Sequence, residues 1–318
     1  MDKLLNNKEL EEIDSKNRQE YYARLKEALI GNAPTIKKNS VIRSVAYKVL
    51  PIVRNYDFCM RGTENIPQDI NCLFVINHSN SHDVPTAQEA LHRLGINQCF
   101  LASSEGLNPV VSLLFRECGA VLFNRFDKRA ASEAFITMTS NLVNGAYGVI
   151  FSESTWNLHP YKPMHLIKTG AVYSAAIADV PIVPVIFEYI ETNGLCKKEN
   201  ELYTKCVVTF GKPMRITSQF GLIAQTDDLQ ISLEKMRRNV WKEFAIKKSE
   251  FNDEDILRYL NHTYLKKFGG LFSYDSVVEN KVLLIKDQIS SENDYHLDNN
   301  GLFVPGNLSK EEGEKYIS

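Results

Sequence analysis

The chain has 318 residues, 44% of them hydrophobic, and a formal net charge of −2. That is enough apolar material for a sizeable core, in one large domain or two ordinary ones. The near-neutral balance gives no long-range field of the kind that marks a nucleic-acid binder, so no nucleic-acid partner is expected. Six scattered cysteines (Cys59, Cys72, Cys99, Cys118, Cys196, Cys206) form no C-x-x-C pair. This argues against a disulfide framework or a structural zinc and for a reducing compartment. The N-terminal sequence through Glu20 lacks the apolar stretch of a signal peptide, and no run of about 18 apolar residues occurs anywhere. The expected location is cytoplasmic, in solution or peripheral on the inner face of a membrane.

Residues 8–30 read as a charged helix with a thin stripe of Leu10, Ile13, Tyr21, Leu25 and Leu29, broken at Asn32-Ala33-Pro34. The next helix, 39–54, differs in kind. Ile42, Val45, Ala46, Val49 and Leu50 share one face, while Lys37, Lys38, Arg43, Lys48 and Arg54 are basic. Such a helix suits a lipid interface and equally suits packing on the domain with solvated lysines. From about 60 to 217 short apolar strands alternate with helices. Strands are predicted at 72–77, 98–103, 119–124, 148–153, 180–189 and 203–211, and helices at 84–95, 129–144 and 168–179. The fold class is therefore α/β, with a mostly buried sheet flanked by helices. A helix over 226–247, capped by Thr226 or Asp227, and another at 253–267 follow. Beyond 286 the sequence is polar and weakly patterned. The organisation expected is an N-terminal helical region (1–59), an α/β domain (60–217), and a C-terminal helical extension with a polar tail (218–318).

The strand at 72–77 runs straight into His78-Ser79-Asn80-Ser81-His82-Asp83. A polar cluster at the carboxyl end of a buried strand is where open α/β sheets place their ligand sites. His78 is the side chain best suited to accept a proton near neutral pH. Asp83, five residues on, can fold back onto the far ring nitrogen, fix the tautomer and stabilise the imidazolium. The His78/His82 pair with Asp83 also permits a metal reading, but the Glu of H-E-x-x-H and a third ligand cluster are missing, so no metal is expected. Ser152 and Ser154 follow a strand without the G-x-S-x-G elbow of a serine hydrolase.

Asn77-His78-x4-Asp83 resembles the N-H-x4-D signature of the glycerolipid (lysophosphatidic acid type) acyltransferase family. The resemblance continues in the family's order. Gly119–Arg125 is similar to its second block, Phe151-Ser152-Glu153-Ser154-Thr155 to its F-P-E-G-T block, and Lys168-Thr169-Gly170 to the basic-Gly step. Val180–Val185 is similar to the proline-containing fourth block, and Phe210-Gly211-Lys212-Pro213 to the end of the domain. The resemblance implies an acyltransferase-type mixed sheet. It also implies transfer of a fatty acyl group from acyl-CoA or acyl-ACP, a co-substrate and not a resident cofactor, to a glycerolipid hydroxyl. By that resemblance His78 is the general base, Asp83 orients it, and no acyl-enzyme forms. Asn77, Arg125, Glu153, Ser154, Thr155 and Lys168 would then bind substrate, with Arg125 on an acceptor phosphate.

Three departures bear on the acceptor, one being that the stretch after the second strand reads Ser103-Ser104-Glu105 where the family often has a lysine. Ser154 replaces a glycine of the third block, and Trp156 stands where the family often has a phosphate-binding arginine. They keep open an acceptor such as a glycan, a lipid-linked sugar or another alcohol. A lipid-binding protein on the same fold is the reading from a different class.

Overall fold

Two-residue alternation along the buried strands sorts the core into two faces. The computed structural model describes residues 4–32, 41–53, 57–79, 82–104, 107–124, 127–153, 157, 163–191, 203–244, 295–297 and 303–305. In it Leu73 and Val75 join one hydrophobic cluster, while Phe74 and Ile76 join another on the opposite side of the sheet. Seven strands form that sheet: β1 (Asp57–Arg61), β2 (Leu73–Ile76), β3 (Gln98–Ser103), β4 (Ala120–Phe123), β5 (Tyr147–Phe151), β6 (Ile182–Glu191) and β7 (Tyr203–Phe210). Their order is β1-β7-β6-β2-β5-β3-β4. Strands β2 to β6 are parallel; β7 pairs antiparallel with β6 and carries β1 parallel to itself, so the sheet is mixed.

Helices cover both faces. On the side of Leu73 and Val75 lie α1 (Asn7–Glu12), α2 (Ser15–Leu29), α6 (Lys128–Val143), α7 (Gly170–Ala178) and α8 (Leu222–Glu243). On the other lie α3 (Val41–Val53), α4 (Asp83–Arg93) and α5 (Pro109–Glu117). Cys72, Cys99 and Cys206 are buried and free, as small core hydrophobes.

The structure refines the sequence reading at several points. The helix expected over 8–30 is two helices. Asn6 caps the first through a reciprocal box with Glu9, and Asp14 starts the second by accepting the Asn17 N–H. Helix α8 begins at Leu222 with Gly221 as its N-cap, and Thr226, expected as a cap, lies inside and bonds back to the Leu222 carbonyl. Strand β1 and helix α5 were not foreseen. The helix expected at 253–267 lies outside the described residues, and the described residues of the tail form an antiparallel pair, β8 (Tyr295–Leu297) with β9 (Phe303–Pro305). Leu222, Leu229 and Leu233 of α8, and Leu10, Tyr21 and Leu25 of α1 and α2, share a cluster with Leu73 and Ile182.

Helix α3 packs with its polar side inward. Arg43 is only 6% exposed, bonds the Asn97 side chain and donates to the Tyr47 hydroxyl, which donates to Gln88. Val41, Ile42 and Val45 face outward, Val45 at 53% exposure. Among the described residues no helix is long and apolar enough to cross a membrane.

Candidate active site

Strand β2 is the middle strand of the seven, flanked by β6 and β5, and His78 lies two residues past its carboxyl end. Asp83 opens α4, where the helix N-terminus favours a carboxylate. The intervening turn folds back so that His78 Nδ1 lies 2.8 Å from Asp83 Oδ2, and the Ser79 N–H donates to the same oxygen. Asp83 is wholly buried and the His78 side chain retains 12% exposure. With Nδ1–H donated to Asp83, the tautomer places the imidazole lone pair on Nε2. The ring lies against Phe151, centroid to centroid 4.6 Å, which fixes its plane.

The backbone of His78 is held from the neighbouring strand. Glu153, just past β5, accepts the His78 N–H at 2.7 Å through one oxygen and the His165 N–H at 2.6 Å through the other. Asn157 N–H donates to the His78 carbonyl at 2.6 Å. Burial pushes the Glu153 carboxyl up to about 7; the His165 and His78 N–H bonds and the Arg237 charge pull it down, while Asp83 adds to the rise. Asn77 is equally buried. Its amide takes the Phe187 N–H at 2.7 Å, donates to the Phe187 carbonyl at 3.0 Å, and donates to Ser79 Oγ. Glu153 and Asn77, expected among the substrate contacts, are thus both placed as struts that hold the His78 turn to β5 and β6.

Lys168 is exposed at the approach to α7, its N–H on the Ser152 carbonyl. Arg125, Ser154 and Thr155, together with Trp156, lie outside the described residues. The second sequence block begins at Gly119, whose φ of +96° and close approach to strand β3 explain the glycine: a Cβ there would sit 2.4 Å from the Gln98 carbonyl oxygen. Among the described residues no cluster of three His, Cys, Asp or Glu side chains gathers as a metal site would require.

Sequence reasoning missed two charged groups beside the pair. Glu188 near the end of β6 and Arg237 of α8 form a buried ion pair at 2.7 Å, and Arg237 reaches Ser79 Oγ at 3.4 Å. Their signals were present. Glu188 interrupts an apolar strand, and Arg237 falls four residues after Leu233 and three before Val240, on the buried stripe of α8.

Residues 57–188, from β1 through most of β6, match the family model described as Acyltransferase. Over that segment the chain is similar to the acyltransferase family. The matched segment includes His78, Asp83 and Glu153, so the pair at the end of β2 lies inside it. Among solved structures, the chain is similar to PlsC, the 1-acyl-sn-glycerophosphate (LPA) acyltransferase from Thermotoga maritima. Identity is 20%, the likeness covers 75% of this chain and 85% of that one, and the TM-score is 0.47. No curated protein matches the sequence significantly.

Proposed function

We propose that the protein moves a fatty acyl group from acyl-CoA or acyl-ACP to a hydroxyl of a glycerolipid acceptor such as 1-acylglycerol-3-phosphate. The observation that supports this most is the 2.8 Å contact between His78 Nδ1 and Asp83, at the carboxyl end of the central strand. His78 Nε2 takes the acceptor proton as the oxygen attacks the thioester carbonyl. The tetrahedral intermediate then expels the thiolate, which recovers that proton from His78. No covalent acyl-enzyme is formed. Asp83 holds the ring and stabilises the imidazolium that exists between the two proton transfers.

Arg125, which follows β4 in sequence, is the cation proposed for an acceptor phosphate. The exposed Lys168 is a second cation for a phosphate or for the donor. The outward apolar face of α3, with Val41, Ile42 and Val45, supports a peripheral seat on a membrane, where a lipid acceptor is found.

The test is transfer of labelled acyl groups from acyl-CoA and acyl-ACP to a panel of acceptors: lysophosphatidic acid, glycerol 3-phosphate, a glycan, a lipid-linked sugar and simple polyols. Acylated lysophosphatidic acid is the expected product. Transfer to a glycan, sugar or polyol alone would replace the acceptor, an outcome that Ser154 and Trp156 motivate. No transfer to any acceptor would overturn the reading.

A further inference from the structure

The family match ends at residue 188, yet a side chain nearly fifty residues later completes the surroundings of His78. Arg237 projects from α8 and is 7% exposed. Its Nε donates to Glu188 at 2.7 Å, its Nη1 to the Pro163 carbonyl at 2.6 Å, and its Nη2 to Ser79 Oγ at 3.4 Å. The guanidinium carbon lies 5.3 Å from the centre of the Trp241 ring on the same helix. Ser79 in turn gives its N–H to the Asp83 oxygen that receives His78. One hydroxyl residue and one carboxylate therefore separate α8 from the imidazole.

We propose that Arg237 is a positioning residue for the His78–Asp83 pair, the cation with which α8 balances the negative charge around His78 and so keeps the imidazole neutral and proton-accepting. The inference rests on the reading of His78 as the base. The charged and titratable groups facing this spot are Glu188 from β6, Glu153 past β5, Asp83 from α4, the His78 imidazole, His165 in the loop before α7, and the Cys206 thiol of β7. Burial works against the Arg237 charge, but Glu188, Glu153 and Asp83 outweigh it, and the guanidinium is held above its ordinary range. Asp83 and Glu188, joined by Glu153 once it ionises near pH 7, would with no compensating cation favour the imidazolium, a form with no lone pair to accept a proton. The fork geometry is what lets one side chain serve Glu188, Pro163 and Ser79 together.

The full chain is compared with Arg237→Gln, Arg237→Lys and the double variant Glu188→Gln/Arg237→Gln. Two readings are taken: the pH profile of kcat/KM, and the His78 imidazole titration followed by NMR. In Arg237→Gln the acid limb of the profile and the His78 titration should both move up by about one pH unit. Activity should therefore fall most on the acid limb of the profile and recover toward the parent on its alkaline side. Arg237→Lys, which keeps the charge, should hold the limb near its original place. If Arg237→Gln does not fold, the double variant leaves no buried charge unpaired by the substitution. Its His78 titration should then stay near the parent's, because the cation and one of the acids it balances leave together. An equal loss of activity at every pH with the His78 titration unmoved in Arg237→Gln, or an upward move of a full pH unit in the double variant, would overturn the proposal. Transfer that survives His78→Ala would instead remove the base assignment, while the NMR titration still decides what Arg237 does to the ring.

Discussion

Substituting Asp83 by Asn keeps the shape of the turn and removes one charge. At the 2.8 Å separation of His78 Nδ1 and Asp83 Oδ2, Coulomb's law with an effective dielectric constant of about 20 gives about 6 kcal/mol between an imidazolium and the carboxylate. That corresponds to about four decades in rate. A neutral amide oxygen recovers part of this through its own hydrogen bond, and the amide can also present its NH2 to the ring and select the wrong tautomer. The expected loss in kcat is therefore about 10²–10⁴-fold. KM should change little, because the Asp83 side chain is wholly buried. Steady-state kinetics on Asp83→Asn, His78→Ala and the double variant measure this, with circular dichroism confirming the fold. The double variant should be no slower than His78→Ala, since the two residues act as one unit. A kcat within tenfold of the parent for Asp83→Asn, beside an inactive His78→Ala, would refute the claim that Asp83 tunes the base.

Asn77→Ala strips the Phe187 N–H and carbonyl of their buried side-chain partner; unfolding in urea should show a loss of about 2–4 kcal/mol, and a loss below about 1 kcal/mol would deny Asn77 its bracing role. Glu153, raised from 4.5 to about 7 by burial, holds in the folded state a proton that the unfolded chain releases. Its contribution to stability is most favourable below pH 4.5 and declines as the pH rises through 7, so the parent should lose stability relative to Glu153→Gln across that window and run level above it. A stability difference constant from pH 4.5 to 8 would contradict this. Replacing Val41, Ile42 and Val45 together by Ser should weaken co-sedimentation with anionic phospholipid vesicles while leaving the thermal midpoint nearly unchanged, since these side chains are exposed. Unaltered sedimentation would remove α3 from the membrane contact.

The catalytic turn was legible because its signals are local. An apolar strand, a histidine two residues past its end and an acid five residues further on lie within eleven residues of sequence, and the strand and helix periods fix which way they face. Strand β3 was read at 98–103, the limits it has in the structure, for the same reason. What went unread depends on contacts distant in sequence or on short elements. Strand β1, DFCMR, has no alternation to distinguish it and exists by pairing with β7. Helix α5 was announced by Asn108 as cap and Pro109 in its first turn, a pattern present in the sequence that periodicity alone passes over. The inward face of α3 holds an arginine where the apolar stripe was the natural candidate, because Asn97, Tyr47 and Gln88 bring polar partners that no local pattern reveals. Arg237 is the clearest case. Its position on the buried stripe of α8 was countable, but the acids that make burial tolerable come from β5, β6 and α4.

The measurement that tests the central claim most directly is the rate of acyl transfer by His78→Ala beside the intact protein, at saturating acyl donor and the best acceptor. If His78 Nε2 takes the acceptor proton, kcat falls by about 10²–10⁴-fold and no acylated protein accumulates in either form. Undiminished transfer by His78→Ala, or a trapped acyl-enzyme in the intact protein, would contradict direct attack assisted by His78.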